Sequence, residues 1–189
     1  MIMQVENRKL YLASISPRRK ELLQKLGVPF EVIAPTFEET PTHLSAKEES
    51  LYFAEQKARS VAVRCPHALI IGSDTLIECD GKKLGKPVDE ADALQMLQCL
   101  SGKTHRLYTA VVLLNTQNGT IQKAVEEVRV TFKECSSQVL QNYVATGEPM
   151  GKAGAYAVQG AGKELIKKIE GDADAVIGLP VGVLERWMK

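Results

Sequence analysis

The stretch Lys9-Leu10-Tyr11-Leu12-Ala13-Ser14-Ile15-Ser16-Pro17-Arg18-Arg19-Lys20-Glu21-Leu22-Leu23-Gln24-Lys25-Leu26-Gly27 reads as a strand, a tight turn and a helix in immediate succession. Lys9–Ala13 is the strand, residues 14–16 the turn and residues 17–26 the helix. Ser16 is placed to cap that helix, and Pro17 suits its first position, where a missing N–H costs nothing. Leu22, Leu23 and Leu26 form its apolar face, and Gly27 ends it.

Working outward, the same alternation continues. Ser45 and Glu48 have the spacing of a capping box and open a helix running to about residue 64, with Leu51, Ala54, Ala58 and Val61 facing inward. Residues 68–72 are continuously apolar, as in a buried strand. The chain extends again over residues 75–79, and Asp80-Gly81 marks a hairpin turn. Helices are expected over Glu90–Leu100 and residues 137–146, and residues 180–188 form a short terminal helix. Residues 107–114 and 121–133 read as a long hairpin around Asn118-Gly119, and residues 155–158 and 165–169 as further strands. This order predicts an α/β fold: a mixed central sheet flanked by helices, with two lobes around a cleft, in a single domain spanning residues 1–189.

Composition bounds the function. The 189 residues carry a formal net charge of +1 and are 44% hydrophobic. That charge lacks the basic excess of a dedicated DNA binder, so no direct nucleic-acid partner is expected. No run approaches the roughly 18 apolar residues of a membrane span. Residues 1–9 are polar and short, and read as carrying no signal peptide. Cys65, Cys79, Cys99 and Cys135 are widely spaced without a Cys-x-x-Cys pair, which fits reduced structural thiols in a cytoplasmic protein better than a zinc site. His43, His67 and His105 have neither triad nor metal spacing.

Four clusters could carry chemistry. In Ser14-Ile15-Ser16-Pro17-Arg18-Arg19, two hydroxyls and two guanidiniums gather where backbone N–H groups at a helix start favour anions. Taken alone, the same residues also make a capped helix with solvated arginines. In Gly72-Ser73-Asp74-Thr75, a carboxylate follows a buried strand, where α/β sheets collect ligands, although a strand-ending turn aspartate looks the same. Lys86, before Pro87, sits on stiffened backbone and could meet a phosphate, and Lys57 resembles it on a helix. Taken alone, a solvated lysine is the more common case for both. Lys152-Ala153-Gly154-Ala155-Tyr156-Ala157-Val158-Gln159-Gly160 combines small residues with Gln159, whose amide both donates and accepts. Glu38 and Glu39 form an acidic pair that could ligate a metal or simply face solvent. Neither a Walker lysine loop nor a G-x-G-x-x-G is present.

Together these pieces resemble the Maf family of nucleotide pyrophosphatases over residues 10–180. The matching segments are Leu12-Ala13-Ser14-Ile15-Ser16-Pro17-Arg18-Arg19-Lys20-Glu21-Leu22-Leu23, Gly72-Ser73-Asp74-Thr75, Gly85-Lys86-Pro87, Leu100-Ser101-Gly102, Lys152-Ala153-Gly154-Ala155-Tyr156 and Gly178-Leu179-Pro180, in that order. The resemblance implies a fold like that of the inosine-triphosphate pyrophosphatases and hydrolysis of nucleoside triphosphates to monophosphate and pyrophosphate. It implies a divalent metal cation (Mg, Mn or Co), with Glu39 and Asp74 as ligands, and Asp74 as acceptor of water's proton. Ser14, Arg19, Lys57 and Lys86 fall on substrate-binding positions. Arg18, Thr75 and Gln159 match the dTTP/UTP branch, where a 7-methyl-GTP branch has Trp, Gln and Glu. Gly151 departs from the aspartate that relatives often carry before Lys-Ala-Gly. A rival reading, also carried by the family, is a regulatory binding protein acting on septum formation. A homodimer is left open.

Overall fold

The structure, a computed structural model, describes residues 8–188. The polar N-terminal segment read above as no signal peptide lies, for residues 1–7, outside the described residues.

The first strand, β1 (Lys9–Ala13), runs into α1 (Pro17–Gln24) through the expected turn, and Ser16 Oγ accepts the Arg19 N–H as N-cap. β2 (Glu31–Ile33) follows, then α2 (Ala46–Ala62), whose Ser45–Glu48 capping box is complete. β3 (Ala68–Cys79) turns through Asp80-Gly81 into β4 (Lys82–Leu84). Next come α3 (Glu90–Leu100), β5 (Thr104–Asn115), β6 (Ile121–Phe132) and α4 (Ser137–Val144). β7 (Ile166–Glu170), α5 (Ala173–Ile177) and α6 (Val181–Met188) complete the described chain.

Among the described residues the sheet has seven strands, ordered β2-β1-β3-β5-β6-β7, with β4 paired to β3. β1 is parallel to both β2 and β3, and every other pairing is antiparallel, so the sheet is mixed as expected. Alternation along β1 and β3 sends Leu10, Leu12, Leu69 and Ile71 to one face, against Leu22, Leu23 and Leu184. Tyr11, Ala13, Ala68 and Ile70 face the other way, against Ala54, Ala58 and Val61 of α2. Each fully buried leucine of this kind is worth roughly 1.5–3 kcal/mol. The far halves of β3, β5 and β6 carry a second core of Ile77, Leu107, Val128 and Phe132 under α3 and α4. The two lobes are therefore two cores on shared long strands.

Two expectations need correction. Residues 68–72 and 75–79 belong to one unbroken strand, so Asp74 does not end a strand. The end detected in the sequence is that of the neighbour: β1 pairs with β3 only as far as Ala13 opposite Gly72. Asp74 emerges just beyond it. Residues 155–158 form no strand. Gly154 and Ala155 adopt left-handed φ of 65° and 60°, which breaks extension, and the segment begins in a 3-10 turn, Ala153–Ala155. Among the described residues, no helix is long and apolar enough to cross a membrane.

Candidate active site

A cleft of about 730 Å³ opens between the two cores. The first core supplies the Ser14–Arg19 turn, Glu39, Lys57 and Asp74, and the second supplies a largely apolar side with Ile77, Leu107, Tyr156 and Val176.

The turn is held by its own hydroxyls: Ser14 Oγ accepts the Ser16 N–H at 3.1 Å, while Ser16 Oγ caps α1. Arg19 reaches out of α1 to donate from Nε to the Gly178 carbonyl at 2.9 Å and from a terminal nitrogen to Thr75 Oγ1 at 3.4 Å. Ser73 Oγ lies within hydrogen-bond reach of the same Gly178 carbonyl, at 3.0 Å. Thr109 spends its one proton on the Ala175 carbonyl, at 2.7 Å. In its 3.1 Å contact with Thr109, Thr75 is therefore the donor. The chain of donation runs Arg19, Thr75, Thr109, Ala175 carbonyl, and Thr75 has no proton to spare for a ligand.

At the cleft floor, the buried Lys57 ammonium lies 2.5 Å from Asp74 Oδ1 and 2.5 Å from Glu39 Oε1. Lys86 Nζ donates to the second Glu39 oxygen at 2.9 Å. Lys57 comes from the helix face packed on β3, and Asp74 from the strand beneath it, so the contact follows from the fold. Burial raises the Asp74 pKa, against the pull of Lys57 and Arg19. For Glu39 burial also favours the neutral form, but Lys57 and then Lys86 prevail and bring the carboxyl down to about 2. The site thus holds one firmly ionised carboxylate and one whose proton affinity is enhanced.

The donors suit a divalent cation of the Mg, Mn or Co kind. Two carboxylates of hard oxygen converge on one point, marked by the Lys57 ammonium. Among the described residues, no group of three or more His, Cys, Asp or Glu comes together. A cation here would take its remaining ligands from phosphate and water, as magnesium commonly does.

A family model described as Maf-like protein matches residues 9–189. The chain belongs to the Maf family. This Maf chain is 43% identical over 183 residues to a dTTP/UTP pyrophosphatase of Pelotomaculum thermopropionicum, with 96% of each chain covered. It is 45% identical to one of Moorella thermoacetica, covering 95% of this chain and 93% of that one. Among solved structures, a nucleoside-triphosphatase/dITP/XTP pyrophosphatase of Mycobacterium abscessus aligns with a TM-score of 0.44 at 20% identity, over 66% of this chain and 74% of that one.

Of the residues singled out in the Maf sequence, Ser14, Arg18, Arg19, Glu39, Lys57, Asp74, Thr75 and Lys86 all line the cleft. Gln159 does not: it is exposed and lies outside the lining, while its neighbour Val158 lies within. Gly151 lines the cleft with a φ of 73°, beside Lys152, whose Nζ donates to the Glu148 carbonyl. His105 is buried, far from the polar floor in character, with Nε2 on the Tyr156 hydroxyl at 2.8 Å. Sequence reading missed Phe37, Val176, Ile177 and Gly178 as lining residues. The five-residue α5 is too short to show a helical period; Asp172 as its N-cap and the Gly178-Leu179-Pro180 match just beyond it were the available signals.

Proposed function

We propose that this chain hydrolyses nucleoside triphosphates, dTTP and UTP before others, to the monophosphate and pyrophosphate, and so removes unwanted nucleotides in the cytoplasm. The observation that carries the reading is the buried Lys57 ammonium between Asp74 and Glu39, at the floor of a cleft with one cationic and one apolar side. Such a cleft suits a triphosphate at one end and a base at the other. The dTTP/UTP pyrophosphatase relatives support the same substrate.

In this reading the Ser14–Arg19 turn, Lys57 and Lys86 bind phosphate oxygens and offset their charge. Asp74 takes a proton from the water that attacks the α-phosphorus, a role its burial favours by strengthening its hold on a proton. The bond from the α-phosphorus to the bridging oxygen breaks, and pyrophosphate leaves towards the lysines. Arg19 is fixed by Gly178 and Thr75, so its charge needs no reorganisation when the phosphates arrive. Glu39 and Asp74 would hold the divalent cation, which when bound neutralises phosphate charge.

The test is a panel of dTTP, UTP, GTP, dGTP and 7-methyl-GTP with magnesium, scored for both products and repeated with chelator. Monophosphate with pyrophosphate is expected, and chelator is expected to stop the reaction. Accumulation of diphosphate with inorganic phosphate would overturn the reading.

A further inference from the structure

Glu148 does not line the cleft, yet two segments that do are fastened to it. Its Oε1 accepts the Gly162 N–H at 2.8 Å and the Tyr143 hydroxyl at 2.9 Å, and its Oε2 accepts the Ala161 N–H at 2.9 Å. The Tyr143 oxygen in turn accepts the Ala157 N–H at 3.3 Å. Both ends of the segment 157–162 therefore hang on one carboxylate and the phenol it holds. Lys152, on the cleft lining, donates to the Glu148 main-chain carbonyl at 2.5 Å.

The loop comes this close because two of its positions are glycine. Gly160 has φ of 88°, and a Cβ there would lie 2.5 Å from Glu148 Oε2. A Cβ on Gly162 would lie 2.3 Å from the Ala157 carbonyl oxygen and 2.7 Å from the Tyr143 hydroxyl. Among the described residues Glu148 makes no ion pair within 4.0 Å; its carboxylate is held by two N–H groups and one O–H, and Lys152 and Arg18 act on its charge from further off. Three donors converging on one side chain require an acceptor without protons, which an ionised carboxylate is and an amide is not. Between the anchors stand Val158, on the lining, and Gln159, exposed and outside it.

We propose that Glu148 is a positioning residue that sets the base-side wall of the cleft, and through it nucleotide affinity and base selectivity, without taking part in the chemistry. The proposal rests on the nucleotide-hydrolysis reading. Glu148→Gln changes little in size but turns an amide N–H₂ against a backbone N–H, so the loop loses an anchor.

The experiment compares wild type, Glu148→Gln and Tyr143→Phe. It measures kcat and KM for UTP, dTTP and GTP, calorimetric binding of a non-hydrolysable α,β-imido UTP analogue, and amide hydrogen exchange at Ala161 and Gly162. For Glu148→Gln, KM and the analogue's Kd should rise about tenfold and kcat should stay within about twofold. The UTP-over-GTP ratio should fall, and exchange should quicken only in residues 157–162. Tyr143→Phe should shift KM in the same sense by less, and it carries the test alone if Glu148→Gln does not fold. Faster exchange with unchanged KM and ratio, or a fall in kcat at constant KM, overturns the proposal. A wild type that neither binds the analogue nor turns over any of the three nucleotides sinks the nucleotide reading itself, and the proposal with it. The exchange data then stand as a separate record of the anchor.

Discussion

Gly72 lies so close to Ala54 that a Cβ at position 72 would sit 2.1 Å from the Ala54 carbonyl oxygen. Ala54 and Lys57 are one helical turn apart on α2, and Gly72 and Asp74 share one face of β3. The missing side chain thus lets the helix settle on the strand at the depth where the Lys57 ammonium meets the Asp74 carboxylate.

Gly72→Ala is therefore expected to damage both stability and turnover. The added methyl meets backbone, not a flexible side-chain end, so α2 must move. Overpacking of this kind costs about 1–3 kcal/mol or more. Denaturant unfolding reads the first effect and pyrophosphate release the second. A Gly72→Ala protein as stable and as active as wild type would show that α2 can shift without disturbing the site.

Asp74→Asn is expected to abolish turnover while the fold survives. The amide keeps the shape but cannot take a proton from water, and general-base catalysis is typically worth about 10²- to 10⁴-fold. The fold already disfavours a charge at Asp74, and Lys57 keeps Glu39 as its carboxylate partner, so stability should be largely retained. Circular dichroism establishes folding and a pyrophosphate assay the rate. A folded variant with near-normal rate removes Asp74 from the chemistry.

Glu39 should leave a signature in acid. Burial works against its charge, but Lys57 and Lys86 lower its pKa from 4.5 to about 2. Between those values the unfolded chain binds the proton and the folded one does not. The contribution to stability is therefore complete above about pH 4.5 and is lost as pH falls towards 2. Asp74, with its raised pKa, acts in the opposite sense, since its folded form gains protons more readily than its unfolded form. Glu39→Gln removes the first dependence and weakens the second, because the Glu39 charge is one of the causes that raise the Asp74 pKa. Melting temperature should fall more steeply with acid in wild type than in Glu39→Gln, whatever their absolute values, and parallel curves would contradict the assignment.

Much of this site is legible in the sequence because its parts are local. A cap, a proline and a glycine delimit α1, and the Ser14–Arg19 turn follows from them. Asp74 was found through a buried strand, although the strand continues past it and the true boundary belongs to β1. What sequence could not give is contact at long range. Arg19 meets Gly178, and Lys86 meets Glu39, across 159 and 47 positions. The strand expected over residues 155–158 failed for a local reason: small β-compatible residues were read without the left-handed φ at Gly154 and Ala155. Glu148 passed unnoticed because two of its three partners are backbone N–H groups, which no pattern of residue types records.

The last expectation concerns base choice, with dTTP and UTP turned over faster than purine triphosphates, 7-methyl-GTP included. The relatives named dTTP/UTP pyrophosphatase point that way, and so do Arg18, Thr75 and Gln159. A thymine or uracil edge offers N3–H beside the O4 acceptor, and the Gln159 amide, outside the lining but next to Val158 on it, has the groups to accept from the first and donate to the second. Arg18 lies on the cleft lining, where its positive charge disfavours a methylated, cationic purine that an aromatic side chain would welcome. The hydroxyl of Thr75 is committed as donor to Thr109 and receives Arg19, so its influence on the base runs through the position of Arg19. Gln159 is exposed in the free protein, so replacing it leaves no buried group stranded there, and the cost arises only with nucleotide bound. Gln159→Glu should accordingly lower kcat/KM for dTTP and UTP by about fivefold, the low end of the range for an unmet polar group. Adding Arg18→Trp and Thr75→Gln should move the preference towards 7-methyl-GTP. Competition between UTP and 7-methyl-GTP in one reaction, followed by chromatography of the two monophosphates, reads the ratio directly. A wild type that consumes 7-methyl-GTP first would refute the branch while leaving pyrophosphate release intact.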